Sequence, residues 1–70
     1  MQEKLLILRK KNNLSQTKMA EMLGIATNTY SLKELGKREF TINEMFTIAN
    51  YFGLKVDDIF IPTLLQNGVK

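Results

Sequence analysis

The sequence predicts an all-α fold, a compact bundle of five short helices. Apolar side chains recur at helical spacing through nearly the whole chain, and no stretch alternates like a strand for long. The single proline, Pro62, lies near the end, beyond the main helical segments. Residues 15–36 read as two helices joined by a tight glycine turn, and we expect this pair at the centre of the bundle.

The first helix is expected from Gln2 to Lys11, because Leu5 and Leu8 then face the core at helical spacing. A pair of asparagines at positions 12–13 ends this helix. Leu14 anchors the turn into the second helix.

The second and third helices carry local start and stop signals. Ser15 can cap the second helix through its hydroxyl, and Gly24 can end it in the left-handed region without a Cβ penalty. Its core-facing residues are Met19, Ala20 and Leu23. Ile25 then returns to the core, and the third helix runs from about Thr27 to Leu35. This arrangement is a helix-turn-helix, whose second helix is a candidate to lie in the DNA major groove.

The fourth helix begins at a capping box. Thr41 and Glu44 have the spacing at which each side chain satisfies a free backbone N–H of the other residue. The apolar stripe that follows consists of Ile42, Met45, Ile48, Ala49 and Phe52. Gly53 ends the helix.

A short fifth helix is expected over residues 57–60, with two aspartates in its first turn, where the helix dipole favours acids. Leu54 and Val56 are expected as buried connectors before it.

Residues 1–60 are expected to form the DNA-binding domain, and residues 61–70 a C-terminal tail. Leu64 and Leu65 in this tail could pack on the core or on a second subunit, and both alternatives stay open. Seventy residues are enough for one small domain.

Composition narrows the possible functions. The chain has no cysteine and no histidine, which removes the thiolate and imidazole ligands of most metal sites and the commonest general base. No glycine-rich phosphate loop or pair of carboxylates in a plausible pocket is visible, so we expect no enzyme activity, no metal and no cofactor. The sequence also contains neither a membrane-spanning apolar run nor a signal peptide, which makes a cytoplasmic location the default expectation.

The charge is unevenly distributed. Residues 1–38 hold eight cationic and three acidic side chains, whereas residues 39–70 hold two cationic and four acidic ones. A positive surface attracts phosphate and releases counterions on binding. Such a surface can also serve solubility alone, but here the basic half coincides with the helix-turn-helix.

Residues 8–60 resemble the lambda-repressor-like, Cro/XRE type of helix-turn-helix DNA-binding domain. The resemblance runs without a gap and is carried by Leu14-Ser15-Gln16, Met19-Ala20-Glu21, Leu23-Gly24-Ile25, Glu34 with Gly36-Lys37, Ile48-Ala49, Phe52-Gly53-Leu54 and Asp57-Asp58-Ile59-Phe60. It implies a five-helix all-α domain, in agreement with the helices read from periodicity.

The resemblance also implies roles for individual residues. The positions that face base edges in relatives are occupied here by Thr27, Asn28, Ser31 and Leu32. Gln16, Lys37 and Arg38 occupy positions that contact phosphates in relatives, and Lys33 is expected as a further phosphate contact. Asn28 is the best direct reader, because an amide can pair bidentately with adenine. Arg9 and Glu34 match an ion pair seen in many relatives, and we interpret them as structural.

Three positions depart from the family pattern. Ala26 stands where a capping serine or threonine is common, and Lys33 stands where an apolar core residue is usual. The Lys33 stem can pack while its ammonium reaches outward. Leu32 replaces a polar DNA-facing residue. Tyr30 is expected in the core, with its hydroxyl at the edge.

Plainer interpretations also stay open. The polar residues of the third helix could simply be solvated, and Gln16 could be only a helix-start residue.

The implied function is sequence-specific regulation of transcription by binding a double-stranded DNA operator as a homodimer, in the manner of a phage or prophage repressor. A bacterial or phage origin and an association with the nucleoid go with this expectation, which includes neither a membrane nor a small-molecule substrate. The alternative is a protein-interaction module, such as an antitoxin-like subunit or an adaptor. Its candidate contact residues are Leu32, Met22 and Phe46.

Overall fold

A computed structural model describes residues 1–60. Over this range the chain forms five α-helices and no strand, which confirms the predicted fold class. The helices are α1 (Glu3–Lys11), α2 (Gln16–Leu23), α3 (Thr27–Glu34), α4 (Ile42–Phe52) and α5 (Val56–Ile59). The predicted tail, residues 61–70, lies outside the described residues. Within residues 1–60, no helix has the length and apolar character needed to cross a membrane.

The structure confirms the predicted starts of α2 and α4, including the side-chain hydrogen bonds that cap them. The Ser15 hydroxyl accepts from the Lys18 backbone N–H at 3.0 Å. In the capping box of α4, the Thr41 hydroxyl accepts from the Glu44 N–H at 3.1 Å, while a Glu44 carboxylate oxygen accepts from the Thr41 N–H at 2.9 Å. These bonds satisfy N–H groups that have no partner inside the helix.

Gly24 and Gly53 end α2 and α4 in the left-handed conformation, with φ of 71° and 69°. In each case the next residue donates its N–H back to the helix, from Ile25 to Ala20 at 3.0 Å and from Leu54 to Ala49 at 2.9 Å. The chain therefore turns sharply after each helix, and the α2 turn sends it directly into α3.

One core joins all five helices and the segment before α4. Its buried members are Leu5, Met19, Ala20, Tyr30, Phe40, Ile48, Ala49, Ile59 and Phe60. The Phe40 ring meets those of Tyr30 and Phe60 edge to face, at centroid distances of 5.9 and 5.3 Å. These ring contacts join α3 to the segment before α4 and to the end of α5.

Two apolar residues expected in the core lie in solvent. Ile42 is 64% exposed and Leu54 is 41% exposed. Ile42 is the first residue of α4. Leu54 follows the left-handed Gly53, and the turn carries its side chain to the surface beside Ile7 of α1. Val56, the other expected connector, is partly buried and begins α5.

Helix limits differ from the predictions by one residue. Helix α1 begins at Glu3, one residue after the predicted Gln2. Leu35, the predicted last residue of α3, is the C-cap of that helix. Helix α5 spans Val56–Ile59, one residue earlier than predicted, because the Asp58 carboxylate accepts the Lys55 N–H at 3.0 Å and so closes the first turn.

Candidate nucleic-acid interface

One face of α3 is open to solvent. Thr27 and Asn28 are exposed, and Ser31 and Leu32 are partly exposed one turn later. All four expected base readers therefore lie along a single outward stripe of the helix. The opposite face buries Tyr30, Lys33 and Glu34.

The first turn of α3 lies against the first turn of α2. Ala26 is the N-cap of α3 and gives it no side-chain hydrogen bond, so the helix starts at Thr27 without the usual cap. The Thr27 hydroxyl instead donates to the Thr17 hydroxyl at 3.5 Å. Ala20, which is 1% exposed, leaves room for the two helices to cross closely. The N-termini of α2 and α3 therefore open onto the same side of the molecule.

The cationic residues after α3 are presented by a defined turn. Gly36 takes φ of 85°, and the N–H groups of Lys37 and Arg38 both donate to the Leu32 carbonyl, at 2.9 and 3.3 Å. Both side chains are exposed, and neither forms an ion pair with an acid in residues 1–60. They are free to meet an anionic partner that contacts α3.

Lys33 is not placed with these cations. It is 8% exposed, its ammonium lies 2.6 Å from a Glu44 carboxylate oxygen, and it stands 5.9 Å from the centre of the Phe40 ring. The structure thus differs from the expectation of a phosphate contact here. A lysine is tolerated at this buried position because Glu44, already fixed by its cap with Thr41, supplies a counter-charge.

Arg9 and Glu34 form a two-point ion pair between α1 and α3. Arg9 Nε and Nη2 donate to the two carboxylate oxygens at 2.8 and 3.1 Å. Arg9 Nη1 donates to the Leu14 carbonyl at 2.8 Å, which ties the pair to the turn before α2. The geometry orients α3 relative to the two preceding helices.

Two further side chains complete this cluster. The Tyr30 hydroxyl donates to Glu34 Oε2 at 2.8 Å, and the Gln16 amide donates to Glu34 Oε1 at 3.0 Å. The Tyr30 hydroxyl was expected at the edge of the core, whereas the residue is fully buried. The sequence contains a signal for this bond: Tyr30 has a polar hydroxyl and lies four positions before Glu34, so the two side chains share one face of α3.

The hydrogen bonds decide the protonation of the cluster. Burial by itself raises the pKa of Glu34, but the bonds from Arg9, Gln16 and Tyr30 outweigh burial and hold that pKa below its ordinary value. The bond to Glu34 also raises the pKa of Arg9. Burial and the same carboxylate raise the pKa of Tyr30. At neutral pH the cluster is therefore a carboxylate, a guanidinium and a neutral phenol.

Comparison with known proteins agrees with this geometry. A family model described as helix-turn-helix matches residues 5–59. An uncharacterized HTH-type transcriptional regulator of Methanocaldococcus jannaschii is 39% identical over 61 residues, which cover 87% of this chain and 92% of the relative. No solved structure matches at a significant level. These two matches show that the chain belongs to the Cro/C1-type helix-turn-helix family of DNA-binding transcriptional regulators, and the helix pair and the exposed α3 face agree with that family.

Proposed function

We propose that this protein is a sequence-specific regulator, a repressor of the phage or prophage kind, that inserts α3 into the major groove of an operator. The observation that carries this proposal is the exposed stripe from Thr27 to Leu32, with the free cations Lys37 and Arg38 at its end. Cationic side chains attract the duplex, and the stripe then meets base edges. A location in the cytoplasm, with the DNA, belongs to the same proposal.

The residues of this surface divide into those assigned to base contacts and those assigned to phosphate contacts. Thr27, Asn28, Ser31 and Leu32 face the bases, and Asn28 has the amide that suits adenine. Gln16, Lys37 and Arg38 contact phosphates and set the register of the helix. Lys33 is left out of the phosphate set because Glu44 already holds its ammonium.

The regulator acts as a homodimer. One copy of α3 reads few base pairs, and a two-fold pair reads two half-sites about 34 Å apart with added avidity. A surface near α5 supports this arrangement: Ile7 and Leu54 line a groove of about 220 Å³ whose remaining walls include Lys4, Lys11 and Asp58. A two-fold interface must be self-complementary, and this apolar patch carries side chains of both charge signs.

Selection of bound sequences from a random DNA pool tests this function. A palindromic consensus is the expected outcome, and a consensus without two-fold symmetry would contradict the dimer. Failure to recover any preferred sequence, together with binding of all duplexes alike, would contradict sequence-specific reading.

The second candidate is a protein-interaction module, an antitoxin-like or adaptor subunit. It is favoured by exposed apolar side chains on α4, where Phe46 is 54% and Ile42 is 64% exposed. The two remaining candidate contact residues are less accessible, since Met22 packs against the core and Leu32 is partly buried. A DNA mobility-shift assay at two salt concentrations separates the two candidate functions, because only the regulator binds duplex with a steep salt dependence.

A further inference from the structure

The Glu34 carboxylate is saturated with hydrogen bonds. Its two oxygens accept four bonds from three side chains: two from Arg9, one from Tyr30 and one from Gln16. A carboxylate offers about four lone-pair positions, so every position is used. Three of these bonds come from side chains within the core or at its edge. The fourth comes from Gln16, on the same side of the molecule as the exposed α3 face.

The bond to Glu34 decides which way the Gln16 amide points. An ionised carboxylate accepts hydrogen bonds and donates none, so it must face the amide nitrogen of Gln16. The amide carbonyl must then point elsewhere. One N–H of the amide is engaged by Glu34 Oε1 at 3.0 Å, and the second N–H has no acceptor among residues 1–60.

The surroundings of Gln16 suit an anion. Gln16 is the first residue of α2, and its neighbour Thr17 is exposed. Ser15 caps the Lys18 N–H, which leaves the backbone N–H groups of the first two helical residues without an intrahelical partner. The negative charge of Glu34 is neutralised locally by Arg9, so it does not repel an approaching phosphate.

We infer that Glu34 is a positioning residue for DNA binding: it holds the Gln16 amide with its second N–H free to donate to a backbone phosphate. This inference rests on the proposed function and deepens it. The conformation of Gln16 is set before DNA arrives, so its side chain loses little freedom on binding. Glu34 itself makes no contact with DNA.

A double-mutant cycle separates positioning from a general structural role. The probe is a fluorescein-labelled random-sequence duplex, and binding is measured by anisotropy at several salt concentrations, with circular dichroism to establish that each variant is folded. The variants are Gln16→Ala, Glu34→Gln and both together. The matched control is Tyr30→Phe, alone and with Gln16→Ala, because it removes a bond from the same carboxylate and spares Gln16.

Gln16→Ala is expected to weaken binding roughly tenfold, the scale of a hydrogen bond to a charged group. Glu34→Gln should weaken it by a similar factor, and the double variant should be no weaker than Gln16→Ala. With Tyr30→Phe, the two factors should multiply. If the factors for Gln16→Ala and Glu34→Gln also multiply, or if Gln16→Ala binds like the wild type, the inference is overturned while the DNA-binding function stands. A wild-type chain that binds no duplex at low salt overturns the function itself.

A measurement on the unaltered protein covers the case in which Glu34→Gln does not fold. In the NMR spectrum, one side-chain amide proton of Gln16 should be shifted by the carboxylate, and the other should move on addition of the duplex. The Gln2 amide, which makes no side-chain bond within residues 1–60, is the internal reference. Gln16 protons that resemble those of Gln2 would contradict the inference.

Discussion

Lys33 and Glu44 join α3 to the start of α4, with Lys33 Nζ 2.6 Å from Glu44 Oε1. The same carboxylate oxygen also accepts the Thr41 N–H at 2.9 Å. One acid thus caps α4 and neutralises a lysine that would otherwise be buried without a partner. Through this bond the angle of α3 depends on the N-terminus of α4.

Removing one partner of the Lys33–Glu44 ion pair is expected to destabilise the fold. Glu44→Ala removes the counter-charge of Lys33 and half of the capping box, so the free energy of unfolding should fall by about 2–4 kcal/mol. Urea denaturation at neutral pH measures the change. The combination Lys33→Met with Glu44→Gln should recover part of the loss, since no charge is left buried. Lys37→Met, at an exposed lysine nearby in sequence, should change stability by less than about 0.5 kcal/mol. Equal losses in the single and combined variants would contradict this account.

Stability is expected to fall in acid. Burial raises the pKa of Glu34 and Glu44, but the hydrogen bonds from Arg9 and Lys33 outweigh it, and both folded pKa values lie below the ordinary 4.5. Groups with a lowered folded pKa stabilise the fold above their unfolded pKa, and this contribution is lost as the pH falls through the folded value. Thermal unfolding followed from pH 7 downward should show the melting temperature dropping below about pH 4.5. A folded variant with Glu34→Gln and Glu44→Gln should show a shallower drop, and an unchanged drop would assign the effect to other acids.

Asn28→Ala tests direct reading of a base. The exposed amide on the first turn of α3 is assigned to one base pair, so its loss should cost about 1–3 kcal/mol on the selected operator and relax specificity there. Competition between operator variants reads out the change. Asn50→Ala, which removes an exposed amide from α4, is the control and should leave the ranking of operators intact. A ranking preserved in Asn28→Ala would remove this residue from the readers.

Arg38→Ala tests phosphate contact. Arg38 is exposed and makes no ion pair within the described part of the chain, so its loss should weaken binding to every duplex by a similar factor. The slope of log affinity against log salt should fall by about 1. Lys55→Ala, at an exposed lysine before α5, should leave the slope closer to the wild-type value. Weakening confined to one sequence would show that Arg38 reads bases instead.

Much of the fold could be predicted because its signals are local. The hydroxyl of Ser15, the capping box at Thr41 and the glycines at 24 and 53 each act within a few residues of their own position. Local hydrogen bonds and φ preferences need no knowledge of the rest of the molecule. The helix pair and the outward stripe of α3 follow from these signals together with the apolar period.

The residues that lie elsewhere than expected depend on contacts between distant parts of the chain. Ile42 and Leu54 fit the apolar pattern, but no neighbouring element within residues 1–60 covers them. Lys33 looks like a free cation until Glu44, eleven residues later, is brought against it. Whether such side chains are buried depends on which helices meet, and periodicity along one helix does not contain that information.

The sequence by itself determined, to within one residue, where each helix starts and stops, and also which chain segments turn and the family to which the domain belongs. Only the tertiary structure decided that Gln16 and Tyr30 join the expected Arg9–Glu34 pair around one carboxylate and that Lys33 turns inward to Glu44. The reason is distance along the chain: caps and glycine turns join neighbours in sequence, whereas the Gln16–Glu34 and Lys33–Glu44 contacts join groups on different helices, which only the packing of those helices brings within hydrogen-bond range.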